Sequence, residues 1–214
     1  MLEVFTQPVT PFAQNSNLLV CQTTRQAVII DPGGDVEKLM QVIESANCKL
    51  IAILLTHGHL DHVGGAKQLA QHCNVDIVGP HLGDQFWLDA LPKQSEMFNF
   101  PMAEVFSPAK WLEEGEQFTF GELTLEVRFT PGHTPGHVIF VEHSTKRIFV
   151  GDVLFKGSVG RTDFPGGNAA QLKQSIESKI YSLPDDYTVF PGHGPTTTVG
   201  YEKQTNPFTS GRFG

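Results

Sequence analysis

Thr56-His57-Gly58-His59-Leu60-Asp61-His62 is the stretch on which the reading turns. It follows a short apolar run, Leu50 to Leu55, that reads as a buried strand. His57 and His59 are two residues apart, so in an extended loop both rings project to the same side, where two imidazoles can meet one cation. Asp61 and His62 are adjacent and project in different directions, which places them poorly for the same coordination sphere. A second metal is the natural solution.

Working outward, other strand-like runs deliver metal-capable side chains in the same way. Leu123 to Phe129 alternates and leads through Pro131-Gly132 to His133. Ile148 to Val150 leads through Gly151 to Asp152, and Val189-Phe190 leads through Pro191-Gly192 to His193. Loops at the ends of a rigid sheet hold ligands well, so this recurrence points to one shared site. The candidates together are five imidazoles and two carboxylates, too many for one zinc, which takes about four ligands. An isolated histidine is more often a surface or hydrogen-bonded core residue, and His72, His81 and His143 are read that way. His137, after Thr134-Pro135-Gly136, can serve structure, a ligand's orientation or substrate contact. Asp31, in Ile29-Ile30-Asp31-Pro32-Gly33-Gly34, ends another strand and can either hydrogen-bond a metal-bound histidine or form a turn before Pro-Gly.

The remaining pattern fits an α/β protein of one domain spanning 1–214. Leu18 to Val20 and Ala27 to Ile30 read as further strands, and Asp35 to Ser45, Asp61 to His72 and Ala169 to Tyr181 as helices. The chain of 214 residues is 40% hydrophobic and 18% charged, enough for a sizeable core. Its cysteines, Cys21, Cys48 and Cys73, are odd in number and widely spaced, which suggests neither disulfides nor a thiolate zinc site and fits a reducing, cytoplasmic setting. No apolar segment is long enough to cross a bilayer. A net charge of −8 disfavours a nucleic-acid partner and favours a small-molecule substrate. Oligomeric state is not legible. The stretch from Asp84 to Met102 is rich in Phe, Trp and Met and suits core packing, with a lid or subunit contact as the other roles.

The HxHxDH motif at 57–62, Pro-Gly-His-Thr-Pro-Gly at 131–136, Gly-Asp at 151–152 and Pro-Gly-His-Gly at 191–194 together resemble the metallo-β-lactamase superfamily. That resemblance implies an αββα four-layer sandwich. It also implies His57, His59 and His133 on a first metal, Asp61, His62 and His193 on a second, and Asp152 bridging. Phe155 to Gly167 (FKGSVGRTDFPGG) and Asn206-Pro207-Phe208 are most similar to the glyoxalase II and persulfide dioxygenase branch, especially its single-domain type II glyoxalase-like members. Full-length glyoxalase II enzymes carry a helical C-terminal domain that contacts glutathione, whereas this sequence runs only a short way beyond His193.

The expected function is therefore that of a binuclear hydrolase cleaving a thioester, such as a hydroxyacylglutathione, with a hydroxide held between two divalent ions. Zinc, iron and manganese all suit the donors, with zinc the first choice. Asp61 is expected to help orient the nucleophile, and Arg161 either to bind a substrate carboxylate or to pair with Asp163. Two alternatives belong to other classes. One is a persulfide dioxygenase with a single Fe(II) on His57, His133 and Asp152; the other is a catalytically inactive metal-binding protein.

Overall fold

The structure, a computed structural model, describes residues 1–209. The first half builds one sheet from β1 (Leu2–Val9), β2 (Gln14–Cys21), β3 (Gln26–Ile30), β4 (Lys49–Leu54) and β5 (Asp76–Val78), in that spatial order. β1 to β3 are antiparallel; β3, β4 and β5 are parallel. The parallel connections are made by α1 (Val36–Ser45) and by α2 (Leu60–Val63) with α3 (Ala66–Cys73). Two further helices, α4 (Gln85–Asp89) and α5 (Leu91–Phe98), lead to the second half.

There β6 (Gln117–Phe120), β7 (Leu123–Phe129), β8 (Val138–Glu142) and β9 (Arg147–Gly151) form an antiparallel meander. A small hairpin, β10 (Leu154–Phe155) with β11 (Ser158–Val159), precedes α6 (Ala169–Ser175). β12 (Thr188–Pro191) then joins β9 in parallel, β13 (Thr197–Thr198) closes the edge, and α7 (Val199–Thr205) follows.

Residue alternation explains the layering. In β2 and β3, Leu18, Val20, Ala27 and Ile29 face a core shared with Leu39 of α1 and Leu69 of α3. Their neighbours Leu19, Cys21, Val28 and Ile30 face the opposite way, against Phe120, Leu125, Phe140 and Phe149 of the second sheet. The outer face of that sheet, with Ile139, Val141, Ile148 and Val150, is covered by Leu172 and Ile176. Three apolar layers thus separate helices, sheet, sheet and helices, the αββα sandwich. Each fully buried aromatic or aliphatic side chain contributes about 1.5–3 kcal/mol.

Two expected helices differ in detail. Asp61 to His72 is not continuous but breaks between α2 and α3 at Gly64-Gly65, where the Asp31–Gly34 loop packs against the chain. A Cβ on Gly64 would lie 2.8 Å from the Gly33 carbonyl oxygen, and one on Gly65 2.8 Å from that of Pro32. Ala169 to Tyr181 begins as expected, with the Asn168 side chain accepting the Gln171 N–H, but its second half, Ile176–Ile180, is a wider π turn.

The two sheets meet at one end. There the Val138 N–H donates to the Thr56 carbonyl (2.8 Å) and the Asn15 N–H to that of Gly192 (2.7 Å). The loops leaving β4, β7, β9 and β12 gather at this edge.

Candidate metal centre

The loop leaving β4 turns into α2 at His59, and this short helix presents Asp61 and His62 beside the rings that precede it. His57 Nε2 lies 3.1 Å from His59 Nδ1, and His133 Nε2 lies 3.0 Å from the same atom, so three nitrogens converge. On the other side, His193 Nε2 lies 3.2 Å from an Asp61 oxygen, and His62 Nε2 3.8 Å from it. The donor atoms within each trio are within 4.8 Å of one another. Asp152 stands between the trios, 3.7 Å from His133 Nε2, 3.3 Å from His62 Nε2 and 3.6 Å from His193 Nε2. A Cβ on Gly192 would lie 2.2 Å from the Asp152 carboxylate, so the backbone can pass there only as glycine.

The outward nitrogens of His57, His62, His133 and His193 are held by oxygens, which fixes which nitrogen carries the proton, while the outward Nε2 of His59 has no hydrogen-bond partner. Thr56 gives its hydroxyl hydrogen to Asp31 (2.5 Å), leaving its oxygen to accept from His57 Nδ1 (3.0 Å). Asp31 also accepts the Thr56 N–H (2.8 Å) and meets His62 Nδ1 at 2.9 Å. It is close enough to His57 and His62 to form a third grouping, but these bonds already occupy its oxygens. His133 Nδ1 donates to the Arg161 carbonyl (2.7 Å) and His193 Nδ1 to that of Phe12 (3.1 Å). His59 has its inner Nδ1 at the trio and its ring between Trp87 (centroids 4.5 Å apart) and Phe164 (4.9 Å).

Electrostatically the two trios differ. Burial holds His57 well below the usual imidazole range, with neighbouring His62 adding to the effect, and burial also lowers His59, to about 3, and His133. Their lone pairs are therefore free at neutral pH. For His62 and His193 burial works in the same direction, but Asp152 and Asp61 outweigh it and raise both. Burial alone would push Asp61 and Asp152 up; the charge of His62 reverses this and both stay ionised.

Whether metal ions fit can be tested on the atoms themselves. His62 Nε2 and Asp152 Oδ1 are buried and have no hydrogen-bond partner. Such orphaned atoms are costly unless something binds them. An arrangement of imidazole nitrogens and carboxylate oxygens suits divalent zinc, iron or manganese. The residues fit two ions.

At His137 and Arg161 the structure matches one of the readings the sequence left open, and it adds a residue the sequence did not mark, Asp84. His137 does not line the cavity; it is fully buried beneath the ligands, stacked on His57 at 4.7 Å. Its Nε2 accepts the Asp152 N–H (3.2 Å) and its Nδ1 faces Thr130 Oγ1 (3.2 Å), so it supports the backbone of Asp152 instead of reaching substrate. Arg161 lies on the cavity wall, but its guanidinium forms two bonds to Asp163, at 2.9 and 2.7 Å, and rests on the Phe164 ring. The pair with Asp163, two residues away, thus forms in place of a free carboxylate site. The residue that sequence reasoning passed over is Asp84. Fully buried, it accepts the Gly58 N–H (2.8 Å), the Thr134 hydroxyl (2.7 Å) and the Gly136 N–H (2.6 Å). Burial outweighs these bonds and raises its carboxyl to about 6. No local motif marks it.

Above the ligands opens a cavity of about 710 Å³. The segment Asp84 to Met102 forms one wall through α4 and α5, contributing Phe86, Trp87 and Phe98; Phe155 and Phe164 come from the second half of the chain.

The chain matches the description Metallo-beta-lactamase superfamily over residues 9–193. It is 47% identical over 206 residues to the hydroxyacylglutathione hydrolase GloC of Haemophilus influenzae, covering 96% of this chain and 97% of that one. Among solved structures, the BLEG-1 B3 metallo-beta-lactamase superposes with a TM-score of 0.90 at 36% identity, over 98% of this chain and 100% of that one. A di-iron-bound form of TTHA1623 superposes at 0.87 with 37% identity, over 95% and 99%. The chain belongs to the metallo-β-lactamase superfamily.

Proposed function

We propose that this metal-dependent hydrolase is a thioesterase of the glyoxalase II type, acting on hydroxyacyl thioesters of glutathione. The observation that carries the reading is the pair of trios joined by Asp152, taken with the 47% identity to a relative named for that activity. His57, His59 and His133 would hold one ion, and Asp61, His62 and His193 the other, with Asp152 shared. Bound there, two divalent ions supply a water of lowered pKa and polarise the thioester carbonyl.

The chain's own groups do the rest. Asp61 stays ionised and faces the cavity beside His193, so it can accept a proton from the attacking water and fix its direction. Asp31 and Thr56 keep the His57 and His62 rings from turning. His137 holds the Asp152 backbone in register. The aromatic walls exclude bulk water, which strengthens the electrostatics at the carbonyl. The leaving thiol has an ordinary pKa near 8.5, so it departs as thiolate with no dedicated acid.

The reading is tested by metal content and thiol release together. About two ions per chain and release of glutathione from S-lactoylglutathione are expected. Asp61→Ala should lower kcat by about a hundredfold or more. A single iron with oxygen uptake on glutathione persulfide, and no thioester cleavage, would show a dioxygenase instead. A one-ion site on His57, His133 and Asp152 would leave the grouping of Asp61, His62 and His193 without a use, and the 47% identical relative is named a hydrolase, which is why the hydrolase is preferred.

A further inference from the structure

Aromatic rings, more than polar groups, surround the inner face of the site. Trp87 and Phe164 both lie edge-on to His59, and Phe164 is also 5.8 Å from the His133 ring; the two meet each other at 6.3 Å. Phe155 approaches His193 at 6.2 Å. Two of the polar side chains on these walls, Gln94 and Arg161, are already engaged, while the buried Trp87 indole N–H has no hydrogen-bond partner. Gln94 accepts the Leu60 N–H (3.0 Å) and donates to the Trp87 carbonyl (2.8 Å), so both ends of its amide are used. Arg161 is paired with Asp163.

A small hydroxyacyl group would therefore meet mostly ring faces and edges on these walls. A ring or branched chain would instead displace water from apolar surface, and stack or meet edges at the 4.5–7 Å separations that aromatic pairs prefer. We propose that the site selects thioesters whose acyl group is aromatic or bulky and apolar, with Trp87 and Phe164 as the residues that set this preference. The proposal rests on the thioesterase reading and deepens it by naming the acyl class.

S-mandeloylglutathione and S-lactoylglutathione differ only by a phenyl ring in place of a methyl group, with the hydroxyl and the thiol carrier unchanged. With the metal-loaded enzyme, kcat/KM for the mandeloyl thioester should exceed that for the lactoyl one by about tenfold or more. In Trp87→Ala and Phe164→Ala the ratio should fall toward one, whatever happens to the absolute rates. Equal kcat/KM for the two thioesters in the wild type overturns the preference and leaves the thioesterase reading standing; the rings would then serve only to shield the ligands. Thiol release from neither thioester refutes the thioesterase reading itself, and the acyl preference is then decided by binding. The chain has two tryptophans, so in Trp111→Phe the remaining emission reports on Trp87. Mandelate should quench it at a concentration about tenfold lower than lactate, and equal quenching overturns the proposal.

Discussion

Asp84 stands 26 residues beyond Gly58 and 52 before Gly136, yet its carboxylate accepts hydrogen bonds from both backbones. It thereby ties the loop of His57 and His59 to the loop of His133. Asp84→Asn keeps the shape but turns an amide N–H₂ toward one of the two backbone N–H donors, leaving a buried donor unpaired. Unfolding free energy should fall by about 1–3 kcal/mol, read by urea denaturation. The carboxyl is raised from 3.8 to about 6, so folding favours its protonated form. Its stabilising contribution is full below pH 3.8 and is lost as pH rises toward about 6. The difference between wild type and Asp84→Asn should narrow over that interval and be level above it; a flat difference across it would mean that the carboxyl is not desolvated. Asp84 was not legible in the sequence because its partners are distant and carry no pattern. The seven ligand candidates were legible because each sits in a short motif at a strand end. Arg161 and His137 were ambiguous for a different reason: their alternatives differ only in which way a side chain turns, and spacing does not determine that.

At the scale of elements, the apolar runs located β2, β3, β4, β7, β9 and β12, but β1, β5, β6, β8 and the short β10, β11 and β13 went unread. The break between α2 and α3 was hidden because it depends on the approach of the Asp31–Gly34 loop from elsewhere in the chain. The same is true of Asn206-Pro207-Phe208, which had no visible task in the sequence. In the structure the Asn206 amide donates to the Ser158 carbonyl (3.0 Å) and to Glu202 (2.8 Å). Buried Glu202 accepts in addition the Gly157 N–H (3.0 Å) and the Thr197 hydroxyl (2.6 Å). α7 is thus fastened to the β10–β11 hairpin, whose Phe155 and Val159 line the cavity. Asn206→Ala should free that wall while leaving the metal ligands untouched. KM should rise several-fold with metal content unchanged, and stability should fall by about 1–2 kcal/mol. A loss confined to kcat, or a loss of metal, would mean that the hairpin does not act on substrate through α7.

Across the whole molecule, the site is where the two sheets are joined. Of the seven ligand candidates, four follow β4 in the first sheet, and His133, Asp152 and His193 follow strands of the second. Ions shared among them would act as cross-links between the halves of the sandwich, beyond the apolar layer that already holds those halves together. Without a cation, Asp61 and Asp152 would remain near each other at the buried edge, balanced only by His62 and His193. Ions bound only by the folded state stabilise by about 4 kcal/mol when present at a thousand times their dissociation constant. For a chain of this size, a chelator should therefore lower the melting temperature by on the order of 10 °C. Hydrogen exchange should localise the effect: amides of residues 56–62, 131–137 and 191–194 should lose protection first, while β7 and β8 keep theirs. Asp152→Asn, which weakens the one ligand common to both trios, should melt lower than wild type and respond less to chelator. Unchanged melting and unchanged loop protection after chelation would mean that the ligand cluster holds its shape without ions, and the reading of this edge as a metal centre would have to be given up.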